Sequence, residues 1–147
     1  MAAIAGGLLG FAILVFGRVL VSIDASVARI AAGTEDWAEL VLLAMEAAPF
    51  EEVIFRLVGL SVIAWVVGRM GRYQDNAFPI ALVVSSLLFG LAHLPSVSLA
   101  GLGLVLDNTG GGSVVGWLFW RWGLPYAIIC HFTAGLVVQG LGPSVLS

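Results

Sequence analysis

Glu51-Glu52-Val53-Ile54-Phe55-Arg56 sets two adjacent carboxylates and a guanidinium inside one long apolar stretch, Trp37–Val67. Each charge at the middle of a bilayer costs roughly 2.5–3.5 kcal/mol on insertion scales. Three of them in one span mark a site by default, provided that the stretch is a membrane span. The composition says that it is. The chain has 147 residues, 61% hydrophobic and 10% charged, with a mean hydropathy of +1.09, whereas soluble domains carry about 25% charged residues.

Outward from that stretch, five apolar segments follow one another: about 3–23, 37–67, 78–94, 97–120 and 124–146. Four are near the ~20 residues that cross a bilayer as a helix, and the second is too long for one straight span. No ten-residue alternation of the kind that builds a barrel is present. The expected fold is therefore an all-α integral membrane protein, one membrane domain over residues 1–147 with about five transmembrane helices. Pro49 lacks an N–H and crowds the preceding turn, so the second helix is expected to kink or restart near Ala48. A restart would put Glu51 and Glu52 near a positive helix terminus. Asp107-Asn108 and Gly110-Gly111-Gly112 are expected to interrupt the fourth helix.

The six basic residues are all arginines, which removes the P-loop, whose Lys binds phosphates. It also argues against a nucleic-acid surface. Cys130 is the only cysteine, so no disulfide can form within the chain. The stretch Met1–Ile23 reads as a retained span rather than a signal peptide. Arg69 and Arg72 follow segment two and Arg121 follows segment four, while the connector holding Asp24, Arg29, Glu35 and Asp36 is net acidic. Positive residues stay inside, so these arginine loops and the N-terminus are expected on the cytoplasmic face of the cell (inner) membrane. Nineteen glycines, many inside spans, suit close helix packing.

The polar groups at membrane depth are Glu46, Glu51, Glu52, Arg56, His93, Asp107, Asn108, His131 and Gln139. Glu52 and Arg56 are four apart with the acid first, the favourable helical pairing. Glu51, about 100° further round an ideal helix, is left over, and a carboxylate without a counter-ion in a dry site is a good general base or acid. At ~1.5 Å per residue, His93 lies roughly 22 Å and Glu51 roughly 24 Å from the cytoplasmic ends of their segments, so the two can meet. His131 is shallower but still embedded. Two glutamates and two histidines from three segments are thus placed to converge on a water or on a metal ion. The plainer readings are a structural Glu52–Arg56 ion pair and interhelical hydrogen bonds for each histidine. Cys130 and His131 are adjacent, so they point apart on a helix. Ser113 reads as packing.

Glu51-Glu52-x-x-x-Arg56, Phe89-x-x-x-His93 and His131 on successive segments, with Gly116-Trp117-Leu118-Phe119-Trp120-Arg121-Trp122-Gly123-Leu124 before the last histidine, resemble the CAAX protease and bacteriocin-processing family, also called abortive-infection proteins. The resemblance covers about 40–139. It implies an intramembrane endopeptidase in which Glu51 activates a water with His93 and Arg56 holds Glu52 and the helix geometry. His131 would stabilise the oxyanion together with an Asn four residues later. Here that position is Gly135, with Thr133 and Gln139 the nearest polar substitutes. The resemblance also admits a divalent metal such as zinc on Glu51, His93 and His131. The implied partners are the lipid bilayer and a peptide or protein substrate. Two other readings stand beside the peptidase: an inactive member of the same fold serving as a structural or regulatory subunit with other membrane subunits, and a proton or ion path.

Overall fold

The computed structural model describes residues 1–25, 27 and 36–146. Arg29 and Glu35 of the acidic connector lie outside the described residues. Among the described residues six α-helices run in chain order: α1 (Ala2–Ile23), α2 (Trp37–Glu52), α3 (Ser61–Gly68), α4 (Ala77–Ala92), α5 (Leu99–Trp122) and α6 (Leu124–Leu146). A π-helical stretch, Val53–Leu60, joins α2 to α3, and a 3-10 turn, Gln74–Asn76, leads into α4. There is no strand among the described residues.

The apolar segments therefore become five rods, the second being α2, the π-helical stretch and α3 end to end. Among the described residues three stretches are long and apolar enough to cross a membrane: α1, Gln74–Ala92 and α6. The second rod and α5 hold most of the embedded charge: Glu46, Glu51, Glu52 and Arg56 on one, Asp107 on the other. Burial runs opposite to that of a soluble protein. Phe11, Leu42, Trp65 and Leu102 are exposed, while Arg56 and Glu52 are among the largest fully buried side chains. Apolar side chains on the outside suit lipid as solvent, and the charges are kept among helices.

Two expectations about helix continuity are corrected. The helix does not restart at Ala48; Pro49 sits inside α2, and the backbone stays right-handed helical across both junctions of the π-helical stretch. The proline removes one i→i−4 bond. The bonding register widens a few residues later, over Val53–Leu60, as wide turns often do at functional sites. Ser85 on α4 donates a 2.6 Å hydrogen bond to the Phe55 carbonyl within that stretch. Glu51 and Glu52 thus lie along a continuous rod, with no helix terminus to stabilise them.

Nor is the fourth rod interrupted. α5 runs unbroken from its Ser98 cap, whose hydroxyl accepts a 3.0 Å bond from Gly101 N–H, to Gly123, where φ is +88°. The glycine run serves close approach instead. A Cβ at Gly112 would stand 3.2 Å from both the Arg56 guanidinium and the Phe89 ring. Tertiary packing offsets the ~1 kcal/mol that each helical glycine costs. Asn108 turns back on its own helix and donates to the Leu104 carbonyl at 2.8 Å.

α6 is the central post, packed on α1, α2 and α5. Gly6 and Gly10 of α1 form a Gly-x-x-x-Gly contact against it. A Cβ at Gly6 would collide with the Cys130 carbonyl, and one at Gly10 would come within 2.7 Å of Val137 Cβ. This packing brings α6, the second rod, α4 and α5 around one cavity.

Candidate active site

The second rod supplies Glu51, Glu52 and Arg56, the C-terminal end of α4 supplies His93, and α6 supplies His131. Arg56 Nε lies 3.2 Å from Glu52 Oε2, with both side chains fully buried. The guanidinium also donates to the Gly112 carbonyl at 3.2 Å, and its Cζ stands 4.5 Å from the centre of the Phe89 ring, within cation–π range. Glu52 has a second partner. Its Oε1 accepts a 2.8 Å hydrogen bond from Nδ1 of His131.

Glu51 was expected to point away from Glu52, yet both reach the same imidazole. Glu51 Oε2 is 3.7 Å from His131 Nε2, on the side of the ring opposite to Glu52. It is also 3.6 Å from His93 Nε2. Oε2 is itself buried and has no hydrogen-bond partner among the described residues.

The ring orientations carry chemical information. His93 Nδ1 is 2.8 Å from the Phe89 carbonyl oxygen. A carbonyl only accepts, so Nδ1 carries the proton there, and in neutral His93 the Nε2 lone pair faces Glu51. His131 Nδ1 likewise faces one oxygen of the Glu52 carboxylate, whose other oxygen lies against Arg56, and a carboxylate oxygen accepts, so this nitrogen is the donor. Phe89 backs both rings, 4.5 Å from His93 and 5.8 Å from His131 between centroids.

These groups face a cavity of about 350 Å³ whose walls include Glu51, Arg56, His93, His131 and Gly135. All the candidate residues except Glu52, which sits behind Arg56 and His131, line it. The Cβ of a side chain at Gly135 would meet nothing within 4 Å. Gln139 also lines the cavity, whereas Thr133 donates to the Ile129 carbonyl of its own helix. Glu46 is exposed on the outer face of α2. Cys130 is fully buried in an apolar cluster with Val115, Leu118 and Ala127. Ser113 is spent on the Thr109 carbonyl. Among the described residues no three His, Cys, Asp or Glu side chains form a group set to hold a metal ion.

Sequence reasoning missed three contributors: the Phe89 carbonyl, the Gly112 carbonyl and the link from Glu52 to His131. Only the glycine run carried a signal, since three successive glycines in a span mark a close approach as readily as a break.

A family model described as type II CAAX prenyl endopeptidase Rce1-like matches residues 33–137. That is more than half of the chain, and the chain belongs to this family of integral membrane proteins. No curated protein and no solved structure matches it.

Proposed function

We propose that this member of the Rce1-like family is an intramembrane endopeptidase that hydrolyses a peptide bond with a water activated by Glu51. The single observation that supports it best is the buried, unpartnered Oε2 of Glu51 facing the Nε2 atoms of His93 and His131 across the cavity.

In this reading the water gives its hydrogen bonds to Glu51 and to the Nε2 lone pair of neutral His93. Glu51 takes one proton as the water oxygen bonds to the carbonyl carbon. His131, doubly protonated over Glu52, donates Nε2–H to the oxyanion. The C–N bond then breaks, and the proton held on Glu51 passes to the leaving amine. Arg56 neutralises Glu52 and fixes the rod against α5. Glu52 acts through His131 and is a positioning residue. The rods span the bilayer as about five helices, in the cell (inner) membrane with the N-terminus cytoplasmic.

A second reading, favoured by the open space at Gly135, is a fold without turnover that serves as a subunit among other membrane proteins. One experiment separates them. The purified protein in nanodiscs is incubated with peptides carrying C-terminal prenylcysteine motifs and with membrane-anchored leader peptides. Cleavage that Glu51→Gln abolishes is the expected result. No cleavage by the unaltered chain, or cleavage that survives Glu51→Gln, overturns the peptidase.

A further inference from the structure

One charged residue in the cavity wall plays no part in that chemistry. Asp107, on α5, is half-buried and lines the cavity. Among the described residues it makes no ion pair, unlike Glu51 and Glu52. Among the described residues Arg56 and the protonated His131 are the cations on the cavity wall, and both are engaged with Glu52. An ionised Asp107 would be one carboxylate beyond the cations of the site, and an uncompensated carboxylate away from water is costly.

Asp107 also stands at a junction. An apolar groove runs between α1 and α5, walled by Phe16, Leu106 and Val114 among others, and it shares Leu9, Ile13, Asp107 and Gly111 with the cavity. The seam is lightly filled: a Cβ at Gly110 would meet nothing within 4 Å, and one at Gly111 nothing closer than 3.7 Å. A hydrophobic chain lying in this groove and reaching toward Glu51 passes Asp107, the only charged group in the groove wall among the described residues.

We propose that the α1–α5 groove and the cavity form one substrate channel, in which Asp107 selects a hydrophobic peptide bearing a basic side chain near the bond to be cut. This rests on the peptidase reading and names its substrate class. The ammonium or guanidinium of the peptide supplies the counter-ion that the chain does not, and two charges paired away from water attract strongly.

Binding tests this independently of turnover. Fluorescent Leu/Ala peptides of about 20 residues, long enough to span, carry one Lys, norleucine or Glu at successive central positions. They are titrated against the Glu51→Gln protein in nanodiscs. The expected result is a preference for Lys over norleucine of about tenfold, roughly 1.4 kcal/mol, at one or two adjacent positions. Adding Asp107→Asn removes it, Asp107→Glu keeps it, and Asp107→Lys turns it toward the Glu peptide. Equal binding of Lys and norleucine peptides, or a preference that survives Asp107→Asn, overturns the proposal. If the protein with Asp107 intact cleaves the norleucine peptide as well as the Lys peptide, the peptidase reading stands and this one falls. Failure to bind any of these peptides overturns this proposal alone, since the peptidase stands or falls on cleavage of the prenylcysteine and leader peptides.

Discussion

Glu52 and His131, 79 residues apart, are joined by a 2.8 Å hydrogen bond from the imidazole Nδ1 to the carboxylate Oε1. The same carboxylate lies against Arg56 through its other oxygen. An Arg–Glu–His chain thus runs from the floor of the site to the ring that faces Glu51. Its two ends have different consequences, one for folding and one for chemistry.

On the folding side, Arg56 and Glu52 are both fully buried. Removing one partner of a buried pair strands the other, at a cost of about 3–5 kcal/mol. Arg56→Gln and Glu52→Gln should each lower the melting temperature in detergent clearly. The double variant should lose less than the sum of the two, because with both groups neutral no member of the pair is left as a stranded charge. Additive losses in that cycle would show that the pair is not coupled.

Glu51 behaves in the opposite way. Its Oε2 is buried without a hydrogen bond, so Glu51→Gln should leave the melting temperature unchanged or raise it. Cleavage should fall by about 10²–10⁴, the usual contribution of a general base. His93→Ala should cost a similar factor without unfolding the chain. A melting temperature that drops with Glu51→Gln would recast this carboxylate as structural.

The pairing of Glu52 with Arg56 and the meeting of Glu51 with His93 were legible in the sequence, because both follow from helical rise and spacing within apolar runs. What was not legible depends on contacts between rods. Asp107–Gly112 reads as a break by propensity, yet Gly112 lies under Arg56 and Phe89, and burial overrides the local preference. Pro49 reads as a kink or restart, yet it sits inside α2, and the wider turns come only at Val53–Leu60. The shared grip of Glu51 and Glu52 on His131 needs the side chain of a distant helix. An ideal 100° step between adjacent residues cannot anticipate it.

Packing of α1 on α6 gives a prediction unrelated to the site. A Cβ at Gly6 collides with the Cys130 carbonyl and stands 2.9 Å from Thr133 Cβ, whereas one at Gly7 meets nothing. Gly6→Ala should destabilise the protein by about 1–3 kcal/mol, the usual penalty for overfilling a packed contact. Gly7→Ala should be neutral or stabilising by up to ~1 kcal/mol, from helix propensity alone. Thermal unfolding of the two variants side by side in one detergent checks the contact. Equal melting temperatures would mean that α1 does not sit on α6 at this register.

Gly135 gives the sharpest test of the oxyanion argument. It lies one helical turn beyond His131 and lines the cavity, and a Cβ there meets nothing within 4 Å. Gly135→Asn should therefore fold as well as the unaltered chain and place an amide donor beside the carbonyl under attack. One such donor is worth about 10²–10³ in rate in other hydrolases, so a gain of that order in cleavage of a fixed peptide is expected. Gly135→Ala supplies the control, since it removes the glycine without adding a donor and should leave the rate nearly unchanged. Equal gains from both would trace the effect to helix rigidity. An Asn variant that melts normally yet cleaves no faster would remove this position from the oxyanion site.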